Sequence, residues 1–123
     1  MKPTDPRSTK TIGDVAEDIA VDHLEAQGWF IIERQWSHHN MGELDIVADD
    51  GTAIVFVEVR FRTRTDFGLP EETLSKAKLA RIRRTAAMYM VKKGIRDKAC
   101  RFDVLAIDMM SGKPEVRHYR NCF

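Results

Sequence analysis

Five consecutive apolar residues, Ala53 to Val57, run straight into Glu58, Val59 and Arg60. A strand that is apolar at every position has to be covered on both faces, so this run marks a central strand with a layer on each side. Just upstream, Glu43, Asp45 and Val47 alternate with Leu44, Ile46 and Ala48, the period-two pattern of a strand with two different faces. Asp49, Asp50 and Gly51 supply the turn between the two strands. The stretch from Met41 to Arg62 is therefore a hairpin, and it carries acids where a buried hairpin should avoid them. Desolvating a carboxylate costs several kcal/mol unless a cation, a metal or strong hydrogen bonds compensate. Asp45 and Glu58, on adjacent strands and a common face, need such a partner.

The remaining elements can be placed around this hairpin. Met1 to Lys10 contains two prolines and no apolar periodicity, as expected of a flexible N-terminal arm preceding a single domain over 11–123. Thr11 and Asp14 form a capping-box pattern that opens a helix, and Gly28 stops it after about Gln27. Ala16, Ile19, Ala20, His23 and Leu24 make its expected apolar stripe, with Glu17 at the margin, where it is either a salt-bridged residue or an acid reaching toward the hairpin. Trp29 to Trp36 reads as a strand, and Ser37 to Asn40 as a polar loop in which His38 and His39, neighbours in an extended chain, point apart at the surface; metal binding or contact with phosphate are their alternative roles. A second helix is expected over Glu71 to Lys93, its buried stripe formed by Leu79, Ile82, Ala86, Tyr89 and Met90. Lys78 borders that stripe, whereas Arg84 points to solvent. Cys100 to Asp108 and Pro114 to Arg120 are the last strands. The order of helix, three strands, helix and one or two strands predicts an α/β fold with a mixed central sheet flanked by helices.

Charge is distributed unevenly along the chain. Met1 to Val59 holds 4 Lys and Arg against 12 Asp and Glu, while Arg60 to Arg101 holds 13 against 4, although the whole chain is only +1. An acidic half carrying Asp45 and Glu58 beside a basic half suits a polyanion held near metal-binding carboxylates; the alternative is two solvated helices of opposite charge. Lys76, Lys78 and Arg81 on the second helix, with Arg62 at the end of the hairpin and Arg64 in the loop of Thr63 to Pro70, are the candidate nucleic-acid contacts. Clustered carboxylates suit Mg²⁺ or Mn²⁺, which support phosphodiester hydrolysis. In the other reading, Asp45, Glu58 and Arg60 form an internal ion-pair network. Cys100 and Cys122 lack metal-ligand spacing and are expected as free thiols of a cytoplasmic protein. No stretch approaches the roughly 18 apolar residues of a membrane span, so no membrane role is expected.

The motifs Gly13 to Gly28 (G-x-x-x-E-x-x-A-x-x-x-L-x-x-x-G), Gly42 to Asp45 (G-E-L-D), Phe56 to Arg60 (F-V-E-V-R), Ser75 to Lys78 (S-x-x-K) and Arg101 to Asp103 (R-F-D) resemble the YraN family of bacterial proteins. The resemblance implies a restriction-endonuclease-like αβββαβ core, related to Holliday-junction resolvases, and a site of the PD-(D/E)xK type. Asp45 would be the first acid, Glu58 the second, Arg60 would take the lysine position, and Glu17 would match the acid on the first helix. Asp45, Glu58 and Glu17 would then hold the metal, with Arg60 joining them in catalysis. Arginine stays protonated and cannot act as a general base. Ala16 also departs from the family pattern, which usually has a second glycine there. Glu43 is a secondary candidate, and Asp103 is either a further acid of the site or a partner of Arg101.

Three functions follow as alternatives: a Mg²⁺-dependent nuclease acting on DNA, branched DNA included; a non-catalytic nucleic-acid-binding or accessory protein with the nuclease fold; and a protein-interaction scaffold. A homodimer would suit a two-fold symmetric junction.

Overall fold

The computed structural model describes residues 10–63 and 68–123. Helix α1 (Ile12–Ala26) is followed by strands β1 (Phe30–Ser37), β2 (Glu43–Asp49) and β3 (Ile54–Arg62), a 3-10 turn (Pro70–Thr73), helix α2 (Lys76–Lys92), and strands β4 (Cys100–Asp108) and β5 (Glu115–Tyr119). The strands form one sheet in the order β1-β2-β3-β4-β5, antiparallel except where β3 and β4 run parallel. That parallel pair is joined by α2, as a crossover requires.

The all-apolar run lies at the centre of the sheet, covered on both faces. Val55 and Val57 pack with Ala16, Ala20 and Leu24 of α1 and with Leu105 and Ile107 of β4. Ile54 and Phe56 point the other way, to Ile82, Ala86 and Tyr89 of α2. Each large aliphatic side chain buried this way contributes roughly 1.5–3 kcal/mol, enough to fix the register of β3 and hence the position of Glu58.

The expected capping box forms: Thr11 Oγ1 accepts from the Asp14 amide and the Asp14 carboxylate accepts from the Thr11 amide, both at 3.1 Å. Gly28, at φ +86°, ends α1 in the left-handed region that glycine tolerates. Two expectations shift. The buried stripe of α1 is Ala16, Glu17, Ala20, Val21 and Leu24, so Glu17 is inside it and His23 lies at its edge. The cause is local: Arg34 and Gln35 of β1 draw the Glu17 carboxylate inward. Helix α2 starts at Lys76, five residues after Glu71, because Ser75 is its N-cap, accepting from the Lys78 amide at 3.1 Å, and Pro70 opens a separate 3-10 turn. The expected N-terminal arm, apart from Lys10, lies outside the described residues. No helix among the described residues is long and apolar enough to cross a membrane.

Candidate functional site

The β2–β3 ladder runs from Asp49 opposite Ile54 to Ile46 opposite Val57, and no further pair continues it although both strands do. In the fork beyond, Asp45 Oδ2 accepts a hydrogen bond from the Val59 amide at 2.9 Å. Glu58, on β3, is 6% exposed, and its carboxyl group adjoins that of Asp45 in one depression. Two carboxyl groups in such contact need a proton or a cation between them. Burial, then the Asp45 charge and the Asp45 hydrogen bond, push the Glu58 carboxyl up to about 8, against the opposing pull of Arg60 and Lys78. Asp45 and Glu58 are thus brought together as the alternation of β2 and β3 predicts.

The pair opens into a depression of about 320 Å³ lined also by Gly42, Glu43, Lys78, Arg81 and Ile82. Helix α2 approaches β2 closely there, and Gly42 makes room for it. A Cβ at Gly42 would come within 2.7 Å of Thr85 Oγ1 and 3.2 Å of Arg81 Cγ, and its φ is +147°. Lys78, on the first turn of α2, therefore faces the acids as its position beside the apolar stripe predicts. Glu43 is exposed at the rim.

Arg60 follows Glu58 on the same face of β3 and is half-buried. Its Nη2 lies 3.8 Å from Glu58 Oε1, a loose ion pair, and among the described residues its Nε and Nη2 have no hydrogen-bond partner. A compact internal network of Asp45, Glu58 and Arg60 would have satisfied those donors.

Glu17 is placed differently. It belongs to α1, whose core contacts lie on the sheet face opposite α2. Its carboxylate accepts from Arg34 Nε at 2.8 Å and from Gln35 Nε2. Gln35 takes a left-handed backbone, φ +53°, within β1. Glu17 does not line the depression that holds Asp45 and Glu58. Among the described residues, no three His, Cys, Asp or Glu side chains are grouped as a metal site.

The basic residues divide. Lys76, Lys78 and Arg81 are exposed on α2. Arg62 has its guanidinium occupied within the fold: Nε and Nη2 bond Asp108 Oδ2 at 2.8 and 2.6 Å, and Nη1 bonds the Gly68 carbonyl at 2.6 Å. Arg64 lies outside the described residues. His38 and His39 do not point apart, because the loop turns: the Met41 amide donates to the His38 carbonyl at 3.1 Å, His39 is left-handed at φ +51°, and the two rings meet edge to face at 4.3 Å. Their loop and Arg84 line a second depression with Arg81, which alternation along an extended chain could not reveal.

The model of the uncharacterised protein family UPF0102 matches residues 16–107. The chain belongs to the UPF0102 family. UPF0102 proteins of Dictyoglomus turgidum and Geotalea daltonii are 38% and 37% identical to it over 112 and 124 residues, covering 91% and 100% of this chain and 93% and 97% of those proteins. A UPF0102 protein of Beutenbergia cavernae is 40% identical over 115 residues, covering 93% of this chain and 97% of its own. This is the YraN group whose motifs the sequence resembles. The UPF0102 match spans Asp45, Glu58, Arg60 and Lys78 together.

Asp103, left open between two roles, is a partner of Arg101. It is fully buried and accepts from Arg101 Nε at 3.0 Å, His118 Nε2 at 2.8 Å and the Asn121 amide at 2.8 Å. Cys100 and Cys122 are free and exposed, as expected.

Proposed function

We propose that this UPF0102 protein is a metal-dependent nuclease or DNA-processing protein with a restriction-endonuclease-like fold, acting on DNA, branched DNA included. The observation that carries the reading is the Asp45–Glu58 contact in the β2–β3 fork, faced by Lys78 and Arg81. The order α1, three antiparallel strands, α2 and a parallel fourth strand supports the fold assignment.

Two adjoining carboxylates, one of them driven toward its protonated form by burial and by the charge of the other, fit Mg²⁺ or Mn²⁺, which are commonly held by one or two carboxylates together with waters and substrate phosphate. When bound, such an ion polarises a phosphate and lowers the pKa of an attached water. Asp45, fixed by the Val59 amide, and Glu58, fixed by the central strand, would be its ligands. Glu17 would join them only by exchanging its bonds to Arg34 and Gln35. The Arg60 guanidinium neutralises charge developing on the phosphate, as its donors without a partner among the described residues permit. Lys78, with Lys76 and Arg81, holds the flanking backbone. A homodimer would present two such forks to a two-fold junction.

A panel of linear, flapped and four-way DNA, each with Mg²⁺ and Mn²⁺, tests the reading. Wild type is expected to cut at least one substrate, and Asp45→Ala and Glu58→Ala none. Equal cutting by the variants overturns the assignment of these ligands. Salt-sensitive binding without any cutting would favour the second reading, a non-catalytic DNA-binding protein, for which arginine at position 60 in place of lysine is the supporting feature.

A further inference from the structure

Beside the acid pair lies an open depression of about 650 Å³ lined by His38, His39, Asn40, Met41, Arg81 and Arg84. Arg81 lines both this depression and the one holding Asp45 and Glu58, so the two adjoin along α2. Their charges differ. The first contains Glu43, Asp45 and Glu58; no acid lines the second, which carries two guanidinium groups and two imidazoles. The first can hold a cation, whereas the second attracts an anion.

The rings in the second depression are positioned from below. His38 is parallel to Trp36, with 7° between planes and 6.1 Å between centroids, and Trp36 meets the buried Tyr89 edge to face at 5.1 Å. His39 then packs against His38. The loop is thereby tied to α2, the element that also supplies Arg81 and Arg84. Imidazole and guanidinium planes stack on unpaired bases, and guanidinium groups hold phosphate. The size suits one nucleotide unit.

We infer that this depression is a second nucleic-acid contact, seating a phosphate and an unstacked base of the strand that passes Asp45 and Glu58; this rests on reading the acid pair as a nucleic-acid site. The strand crosses from one depression to the other over Arg81. His38, His39 and Arg84 accordingly act in binding and positioning, apart from the acids that carry the chemistry.

The test is fluorescence anisotropy with a labelled single strand of about 20 nucleotides, in EDTA so that cleavage is silent. The His38→Ala/His39→Ala double variant and Arg84→Ala are expected to weaken binding about tenfold, and Arg84→Ala to lower the salt slope by about one. Arg96→Ala removes an exposed charge just beyond α2, lies in neither depression, and is expected to bind as wild type does. On a strand of abasic sites the double histidine variant should bind nearly as well as wild type. The inference is overturned if both pocket variants, with unchanged thermal unfolding, bind like wild type, or if Arg96→Ala costs as much as Arg84→Ala. Binding that the pocket variants lose, with no DNA cut by wild type in Mg²⁺, sinks the nuclease reading and leaves this site standing. Failure of wild type to bind any strand sinks both.

Discussion

Asp45 Oδ2 accepts the Val59 amide at 2.9 Å just past Ile46 and Val57, the last paired residues of β2 and β3. A side chain thus bridges the strands where the ladder stops. Its carboxylate is anchored by β3, and Glu58 of the same strand meets it. The fork consequently creates an acid pair with a fixed geometry and an electrostatic cost.

That cost makes stability depend on pH in a definite direction. The Glu58 carboxyl is pushed from its ordinary value near 4.5 to about 8 in the folded chain. Below pH 4.5 both folded and unfolded chains are protonated there. Between pH 4.5 and 8 the unfolded chain ionises first, so folding stability falls as pH rises, by up to a few kcal/mol. Glu58→Gln should remove that slope, leaving the variant more stable than wild type at pH 8 and little changed at pH 4.5. Urea unfolding across this range measures it; a wild-type slope that survives in Glu58→Gln refutes the assignment.

Much of this arrangement is legible in the chain. The apolar run Ala53–Val57 places β3 at the centre, and the alternation of β2 puts Asp45 and Glu58 on one face, as observed. Lys78 is found from its position beside the helical stripe. Glu17 is harder, because helical periodicity gives its angle around α1 but not the sheet face that α1 covers, and its real partners, Arg34 and Gln35, depend on a left-handed residue inside β1. The loop histidines fail for a similar reason: the turn at His39 reverses the alternation that an extended chain would impose. Backbone irregularities break the periodicities on which sequence reading relies.

Gly42 should resist substitution. Its φ of +147° is unfavourable for other residues, and an added Cβ would meet the hydroxyl of Thr85, which is fully buried and donates to the Arg81 carbonyl at 2.9 Å. Gly42→Ala is expected to cost roughly 1–3 kcal/mol and to push β2 away from α2. Gly112→Ala, where φ is +82° but nothing lies within 4 Å of the added atom, carries only the backbone part of that cost. Chemical denaturation of the two variants separates steric from conformational strain, and equal losses would refute the close approach.

At the other end of the sheet, Arg101 should prove a structural residue. Burial pushes the Asp103 carboxyl up, but hydrogen bonds from His118, Arg101 and the Asn121 amide outweigh it and hold the group below its ordinary value. Its contribution is present at neutral pH and lost as pH falls through the carboxylate range, opposite in sign to that of Glu58. Arg101→Ala leaves Asp103 buried with fewer partners and also takes the cation from Asp50 Oδ2, so a loss of about 3–5 kcal/mol is expected. The loss should shrink in acid. A variant that melts like wild type at pH 7 would contradict this.

Arg60 is expected to show the reverse balance of stability and function. Its Nε and Nη2 are buried with no hydrogen-bond partner among the described residues, and its Nη2 lies 3.8 Å from Glu58 Oε1. Each unsatisfied buried donor costs about 1–3 kcal/mol. A guanidinium held in this way gains its missing partners when an anion such as a phosphate arrives. Near pH 6 Glu58 is still largely protonated, so replacing Arg60 strands little negative charge. Arg60→Met should therefore leave stability at pH 6 unchanged or raise it by about 1 kcal/mol, while weakening oligonucleotide binding and lowering its salt slope by about one. Urea unfolding and anisotropy on the same preparation measure the two effects. A variant that loses stability and binds DNA normally would identify Arg60 as an internal ion-pair partner, whereas the opposite pattern assigns its free donors to the substrate.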